Sequence, residues 1–211
     1  MLIFSHPSRF FGKHLPRFCA AKRGPFGRGF TLIELLLVLA VITVLTAVFL
    51  FQQNKFDSST LLRSLAYSIA LSVRQAQIYG TSVRQFGSTF SNNYGLYFSM
   101  ANGNTGSYVL FADANGNGQY DPSTETVQTF NISGKFHISD ICADSSCNSN
   151  SGITWLMVYF KRPNPDALFK TNSGSTYSKA SITVTGSGGA TRQITITSTG
   201  QISVCPVNQS C

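Results

Sequence analysis

The hydrophobic period of the chain changes twice. Over 30–51, from Phe30 to Phe51, there is one ionisable side chain, Glu34. At 1.5 Å per residue this run predicts a helix of roughly 33 Å, enough to cross a hydrocarbon core of about 30 Å. The pattern then turns amphipathic. Leu61, Leu62, Leu65, Ile69, Val73, Ala76 and Tyr79 recur at spacings of three and four, opposite Lys55, Asp57, Arg63, Ser64, Arg74 and Gln75. The spacing predicts that the helix continues over 52–80, seats a globular domain on its apolar stripe and stops at Gly80.

From Thr81 onward the period is two. Segments 82–86, 94–99, 108–112, 127–131, 153–160, 180–185, 193–197 and 202–205 read as strands, each bounded by Gly, Asn, Ser or Pro clusters. Alternation in Ser181-Ile182-Thr183-Val184 and Gln193-Ile194-Thr195-Ile196-Thr197 buries one face of each, and Ser187-Gly188-Gly189-Ala190 is the turn between them. The expected fold class is α+β: a long N-terminal helix, half transmembrane and half amphipathic, packed on an antiparallel sheet or a two-sheet domain over 81–211.

Charge sets the orientation. The formal net charge is +8, but Arg9, Lys13, Arg17, Lys22, Arg23 and Arg28 all precede Phe30, where there is no acid. By the positive-inside rule 1–29 stays in the cytoplasm and everything after Phe51 is sent across. Beyond Gly29 the chain holds ten Lys and Arg against eight acids, which is no basic field for nucleic acid. A secretory signal peptide has a shorter apolar core followed by a small-residue cleavage site, whereas here Gly29 comes before the apolar run.

An acid inside that run needs a reason, because a carboxylate at bilayer centre costs about 3 kcal/mol, less near the interface. Glu34 either reaches the interface or waits for a cation, and an amino group freed at Phe30 would be that cation. Catalytic chemistry finds no constellation. His6 and His14 precede the apolar run, His137 stands alone as a surface or strand residue, and Trp155, Met157 and Tyr159 read as core of one strand.

Gly29-Phe30-Thr31-Leu32-Ile33-Glu34-Leu35 resembles the type III signal sequence of type IV pilins and of the pseudopilins of type II secretion. The resemblance implies a cleaved leader over 1–29, cut between Gly29 and Phe30 by a prepilin peptidase that also N-methylates Phe30. It implies filament assembly through Glu34, partnership with other pilins or pseudopilins, and residence in a bacterial inner membrane before entry into a pilus or periplasmic pseudopilus. Further along, Tyr94-Gly95-Leu96-Tyr97-Phe98, Phe111 to Gly118 and the closing Ser198 to Cys205 are similar to the GspH/FimT group of H-type pseudopilins and minor pilins. That group often carries arginines where Gln201 and Ser203 stand here, and in some members they are linked to DNA binding. The function expected is a non-enzymatic minor pilin or pseudopilin. The alternative is a filament-tip module capturing a surface ligand or DNA, with Lys179, Arg192 and the Lys161-Arg162 pair as phosphate contacts.

Two further features carry chemistry. Asp113, Asn115, Asn117 and Asp121 place oxygens at positions one, three, five and nine of an EF-hand-type calcium loop with Gly118 at six, although position twelve is Thr124 and Glu125 is one further on. An Asn/Gly-rich hairpin is the reading that turn chemistry favours, with calcium the rival and no other cofactor expected. Cys19 falls in the leader, leaving Cys142, Cys147, Cys205 and Cys211 in an oxidising compartment. Two bridges are expected, paired locally or crossed; spacings of five and six residues do not suit zinc.

Overall fold

The computed structural model describes residues 29–90, 92–101, 106–174 and 177–207, the side chains of 52–57 excepted. Expectations placed on 1–28, on the Lys55 and Asp57 side chains and on Cys211 lie outside them. Two compact units divide the chain, Met1–Thr46 and Ala47–Cys211.

In the first unit, residues 29–31 lead into helix α1, which spans Leu32–Thr81 and so runs on into the second. The stretch Leu32–Phe51 is apolar and long enough to cross a membrane, and none of it is buried. Its few hydroxyls are satisfied within the helix: Thr43 Oγ1 donates to Ala40 O at 2.9 Å and Thr46 Oγ1 to Ile42 O at 2.8 Å. No bare polar group is therefore presented to hydrocarbon by these two threonines.

In the second unit α1 turns one stripe inward. Leu62, Ala66, Ile69, Val73 and Ala76 are buried, while Leu65 and Tyr79 pack at the edge of the core. Each large apolar side chain so buried contributes about 1.5–3 kcal/mol. Leu61, assigned to the stripe by spacing, is instead 51% exposed, and Ala66, one turn on from the buried Leu62, takes an inward position. Gly80 does not stop the helix, which runs to Thr81. The end is closed by Thr81 Oγ1 donating to Gln77 O at 2.8 Å and Ser82 N–H donating to Ile78 O at 2.9 Å. Gly80 is needed for proximity: a Cβ there would lie 2.7 Å from the Phe160 carbonyl oxygen.

Among the described residues, ten strands follow in two antiparallel sheets. The first has order β3-β2-β1-β6-β7, from Thr126–Asn131, Ser107–Asp113, Asn93–Ser99, Trp155–Phe160 and Ala167–Thr171. The second has order β10-β9-β8-β4-β5, from Ile202–Cys205, Thr191–Thr197, Lys179–Gly186, Phe136–Ala143 and Ser146–Cys147. A one-turn helix α2, Asn148–Ser151, follows β5. Inward residues of both sheets, among them Leu96, Phe98, Leu110, Val158, Ile138, Ile182 and Ile194, join the α1 stripe in one core. Polar ties fix the helix to both sheets' ends: Ser72 Oγ lies 3.0 Å from Tyr108 Oη, and Gln77 Nε2 donates to Pro165 O at 2.8 Å and to Gly200 O at 3.2 Å.

The expected strand at 82–86 is absent. Val83 is 75% exposed, and the pairing in this segment is an isolated bridge from Phe86 to Thr89. Arg84 instead lies 3.8 Å over the Tyr79 ring. The β8–β9 turn is where the Gly-rich run placed it, with Gly186 N–H donating to Ala190 O at 2.9 Å and Gly189 at φ +75°.

Candidate functional site

Two regions carry the candidate residues. At the first, Thr31 sits immediately before α1 and its Oγ1 accepts the Glu34 N–H at 3.3 Å. Thr31 thus caps the helix, and Glu34 stands in the first turn, where the helix dipole favours a negative charge. The Thr-x-x-Glu spacing is itself a capping signature, one that hydrophobic patterning alone passes over. Phe30 is 81% exposed and Gly29 has open space where a side chain would go. Gly29 and Phe30, the expected cleavage site, thus lie just ahead of the helix start that carries Glu34.

The second region is the loop from Asp113 to Glu125, between β2 and β3. Asp113 ends β2 and is 3% exposed; its Oδ2 accepts Asn93 Nδ2 and the Gly118 N–H, both at 3.1 Å. Its Oδ1 is buried and has no partner. Asn115 Oδ1 accepts the Asn117 N–H at 2.9 Å and Asn117 Oδ1 the Gln119 N–H at 2.7 Å. The two amide groups meet on Asp121 Oδ2, from Asn115 Nδ2 at 2.7 Å and Asn117 Nδ2 at 3.2 Å. Gly116 at φ +74° and Gly118 at φ +66° supply the left-handed turns.

Glu125 is fully buried beneath this loop. Its Oε1 accepts the Ala114 and Asn115 N–H groups at 2.9 and 3.3 Å, and its Oε2 the Asp121 N–H at 3.0 Å. The acid that stands one place late for an EF-hand is thus the clasp of the loop, its buried carboxylate satisfied by three backbone donors.

The loop lies against the outer face of the first sheet. Tyr120 contacts Tyr97 and Phe111, with ring centroids 4.9 and 5.4 Å apart, and Lys170 Nζ donates to Gly118 O at 2.6 Å. Phe111 can lie there because Gly95 opposite has no Cβ, which would come 2.8 Å from the Phe111 ring. Tyr97, Gln119, Tyr120, Trp155 and Met157 line a cavity of about 180 Å³. Trp155 and Tyr159, read as core from their alternation, are half-buried on this outer face, while Met157 is buried there. Burial, and behind it the Asp113 charge, push the Tyr159 hydroxyl above its ordinary range.

The remaining candidates are dispersed. Cys142 and Cys147 are directly opposite on β4 and β5 and joined by a disulfide with Cα atoms 4.0 Å apart. Asp140 is beside them, but the thiols are spent in that bond and the carboxylate accepts the Ser149 Oγ–H at 2.7 Å, which leaves no zinc site. Cys205 ends β10 and is disulfide-bonded. Lys179 pairs with Thr197 and Arg192 with Val184, so the two cations lie at opposite ends of the β8–β9 ladder and on opposite faces of the sheet. Lys161 and Arg162 follow β6 of the other sheet, where Arg162 Nη2 donates to Phe90 O. His137 is exposed on β4.

Neither the curated proteins nor the solved structures compared with the chain provide a match. Residues 27–50 match the family model described as the prokaryotic N-terminal methylation motif. That segment holds Gly29, Phe30, Thr31 and Glu34 together with most of the apolar run, and the match supports a type IV pilin-like protein of the pilin and pseudopilin superfamily, anchored to a membrane through this helix and processed by prepilin peptidase.

Proposed function

We propose that the chain is a non-enzymatic minor pilin or pseudopilin subunit. The leader 1–29 is cut after Gly29, Phe30 is N-methylated, and the helix holds the domain on the far side of the inner membrane until it passes into a type IV pilus or a type II secretion pseudopilus. The observation that carries this reading is the wholly exposed apolar helix headed by Phe30, Thr31 and Glu34. Such a helix needs hydrocarbon or other helices around it, and a filament core supplies the second once the bilayer is left. In that dry core the Glu34 carboxylate of one subunit and the Phe30 ammonium of another set the axial register, because two charges removed from water are tolerable only as a pair.

Coexpression with a prepilin peptidase and pilin-like partners, followed by cysteine-free crosslinking of membrane and sheared-filament fractions, tests it. The expected product is a crosslink between this chain and other pilin-like subunits in the filament fraction. A chain that is cut but found only as an uncrosslinked membrane monomer would refute the filament role. Because Lys179 and Arg192 face opposite ways, the domain is expected to retard duplex DNA weakly at physiological salt.

A further inference from the structure

We propose that the loop from Asp113 to Asp121 is a calcium site, occupied outside the cytoplasm, and that the cation fixes this loop against the aromatic cavity of the first sheet. The leading observation is Asp113 Oδ1. A carboxylate oxygen buried with no donor is costly, and among the described residues the other buried side-chain polar atoms are satisfied, so this one oxygen calls for a cation. The same carboxylate accepts the Gly118 N–H on its other oxygen, so the orphan atom belongs to a side chain already tied to the loop.

The loop to which this carboxylate is tied offers further oxygens that suit a hard cation. Asn115, Asn117 and Asp121 already converge, their side chains meeting within 2.7 and 3.2 Å of one carboxylate oxygen. Each Asn carbonyl oxygen is oriented by one backbone N–H and keeps a lone pair. The ligands would be Asp113 Oδ1, the Asn115 and Asn117 side-chain oxygens, the Gln119 carbonyl oxygen at position seven, the Asp121 carboxylate and water, within the six to eight oxygens calcium takes. Binding replaces the two amide donors on Asp121 by the cation. Glu125 is excluded from the set because all three of its hydrogen bonds are to backbone N–H groups that need it. Lys170 places its ammonium on Gly118 O of this loop, which weakens the site.

With only two ligating carboxylates the site belongs to the weak extracellular class, with Kd about 10⁻⁴–10⁻³ M. Its consequence is local. Gln119 and Tyr120 belong to the loop and line the cavity with Trp155, the one tryptophan of the chain, so occupancy should register in its fluorescence.

The test uses the full chain in detergent, with calcium and terbium as the probes. The melting temperature should rise by about 3–6 °C between chelator and about 10 mM calcium. Terbium should show luminescence sensitised by the loop and cavity aromatics and displaced by calcium. Asp113→Asn should fold, since it removes the uncompensated charge, should melt in chelator no lower than the parent chain, and should lose the calcium response. Asp121→Asn should weaken the response at least tenfold. An unchanged melting temperature together with no sensitised terbium in the parent chain overturns the proposal, as does a calcium response that survives in both variants. If Asp113→Asn fails to fold, the carboxylate is structural and the proposal then stands or falls on calcium-competed terbium binding by the parent chain.

Discussion

The Thr31 hydroxyl accepts the Glu34 N–H at 3.3 Å, so the start of α1 is fixed by the backbone of residue 34 and not by its carboxylate. The acid is left to do something else. Glu34→Gln should keep the cap, the helix and processing at Gly29, but lose the charge that an N-terminal ammonium needs in a filament core. We expect incorporation into filaments alongside unmodified partners to fall at least tenfold while the cleaved chain accumulates in the membrane. Equal incorporation, measured by quantitative immunoblot of sheared filaments, would reduce Glu34 to an interfacial acid.

Gly80 faces the backbone of Phe160, and the helix passes through it without stopping. A Cβ at this position would meet Phe160 O at 2.7 Å and Phe160 Cβ at 2.8 Å, neither of which can move without shifting β6. Gly80→Ala should therefore destabilise the domain by about 1–3 kcal/mol despite alanine's better helix propensity. Urea unfolding in detergent gives the comparison. A gain in stability would mean that helix and strand can part at no cost.

Asp144 closes the β4–β5 turn at φ +53° and ties it to the start of β8. Its carboxylate accepts the Ser178 Oγ–H at 2.8 Å and the Lys179 N–H at 3.0 Å. Burial pushes this carboxyl up, but the Ser178 and Lys179 hydrogen bonds and the Lys179 charge outweigh it and hold the group below the usual carboxylate range. A depressed folded pKa means stability that is present above the unfolded value, about 3.9, and lost as pH falls through the lower folded one. Asp144→Asn keeps a residue that tolerates the left-handed backbone. The group is largely exposed, so the loss at pH 7 should be under about 1 kcal/mol and should shrink between pH 7 and strongly acid pH, where the carboxyl is protonated in both states. A deficit that stays constant between those pH values would assign the effect to shape.

Much of this architecture is legible in the residues, and the exceptions have causes. The apolar run, the inward stripe of α1 and the β8–β9 hairpin follow from periods that nothing interrupts. Strand β4 is hidden because its buried residues Phe136, Ile138, Ile141 and Ala143 step by two, three and two, the extra residue Ser139 being a bulge opposite β8. Strand β7 alternates in burial but not in polarity, with apolar Leu168 exposed between buried Ala167 and Phe169, and polar Thr171 buried. Segment 82–86 has strand-like residues, but Val83 is turned to solvent and the segment pairs only through an isolated Phe86–Thr89 bridge. In the loop, the oxygen spacing was visible, yet the assignment of Glu125 as a clasp required knowing that Ala114, Asn115 and Asp121 turn their N–H groups inward. Nor does the pattern reveal that Trp155 and Tyr159 face outward under that loop, since alternation fixes which residues share a face but not which face is the core.

The central claim is that this chain is a prepilin-type precursor whose mature form begins at Phe30, and intact mass with N-terminal sequencing of the membrane-extracted chain, coexpressed with a prepilin peptidase, addresses it directly. The account predicts a product about 3 kDa lighter than the precursor, starting at Phe30 and carrying one added methyl on its amine, and it predicts that Gly29→Val stays uncut. A mature N-terminus beyond Phe51, as a secretory signal peptide would leave, or an intact leader in the presence of an active peptidase would contradict it.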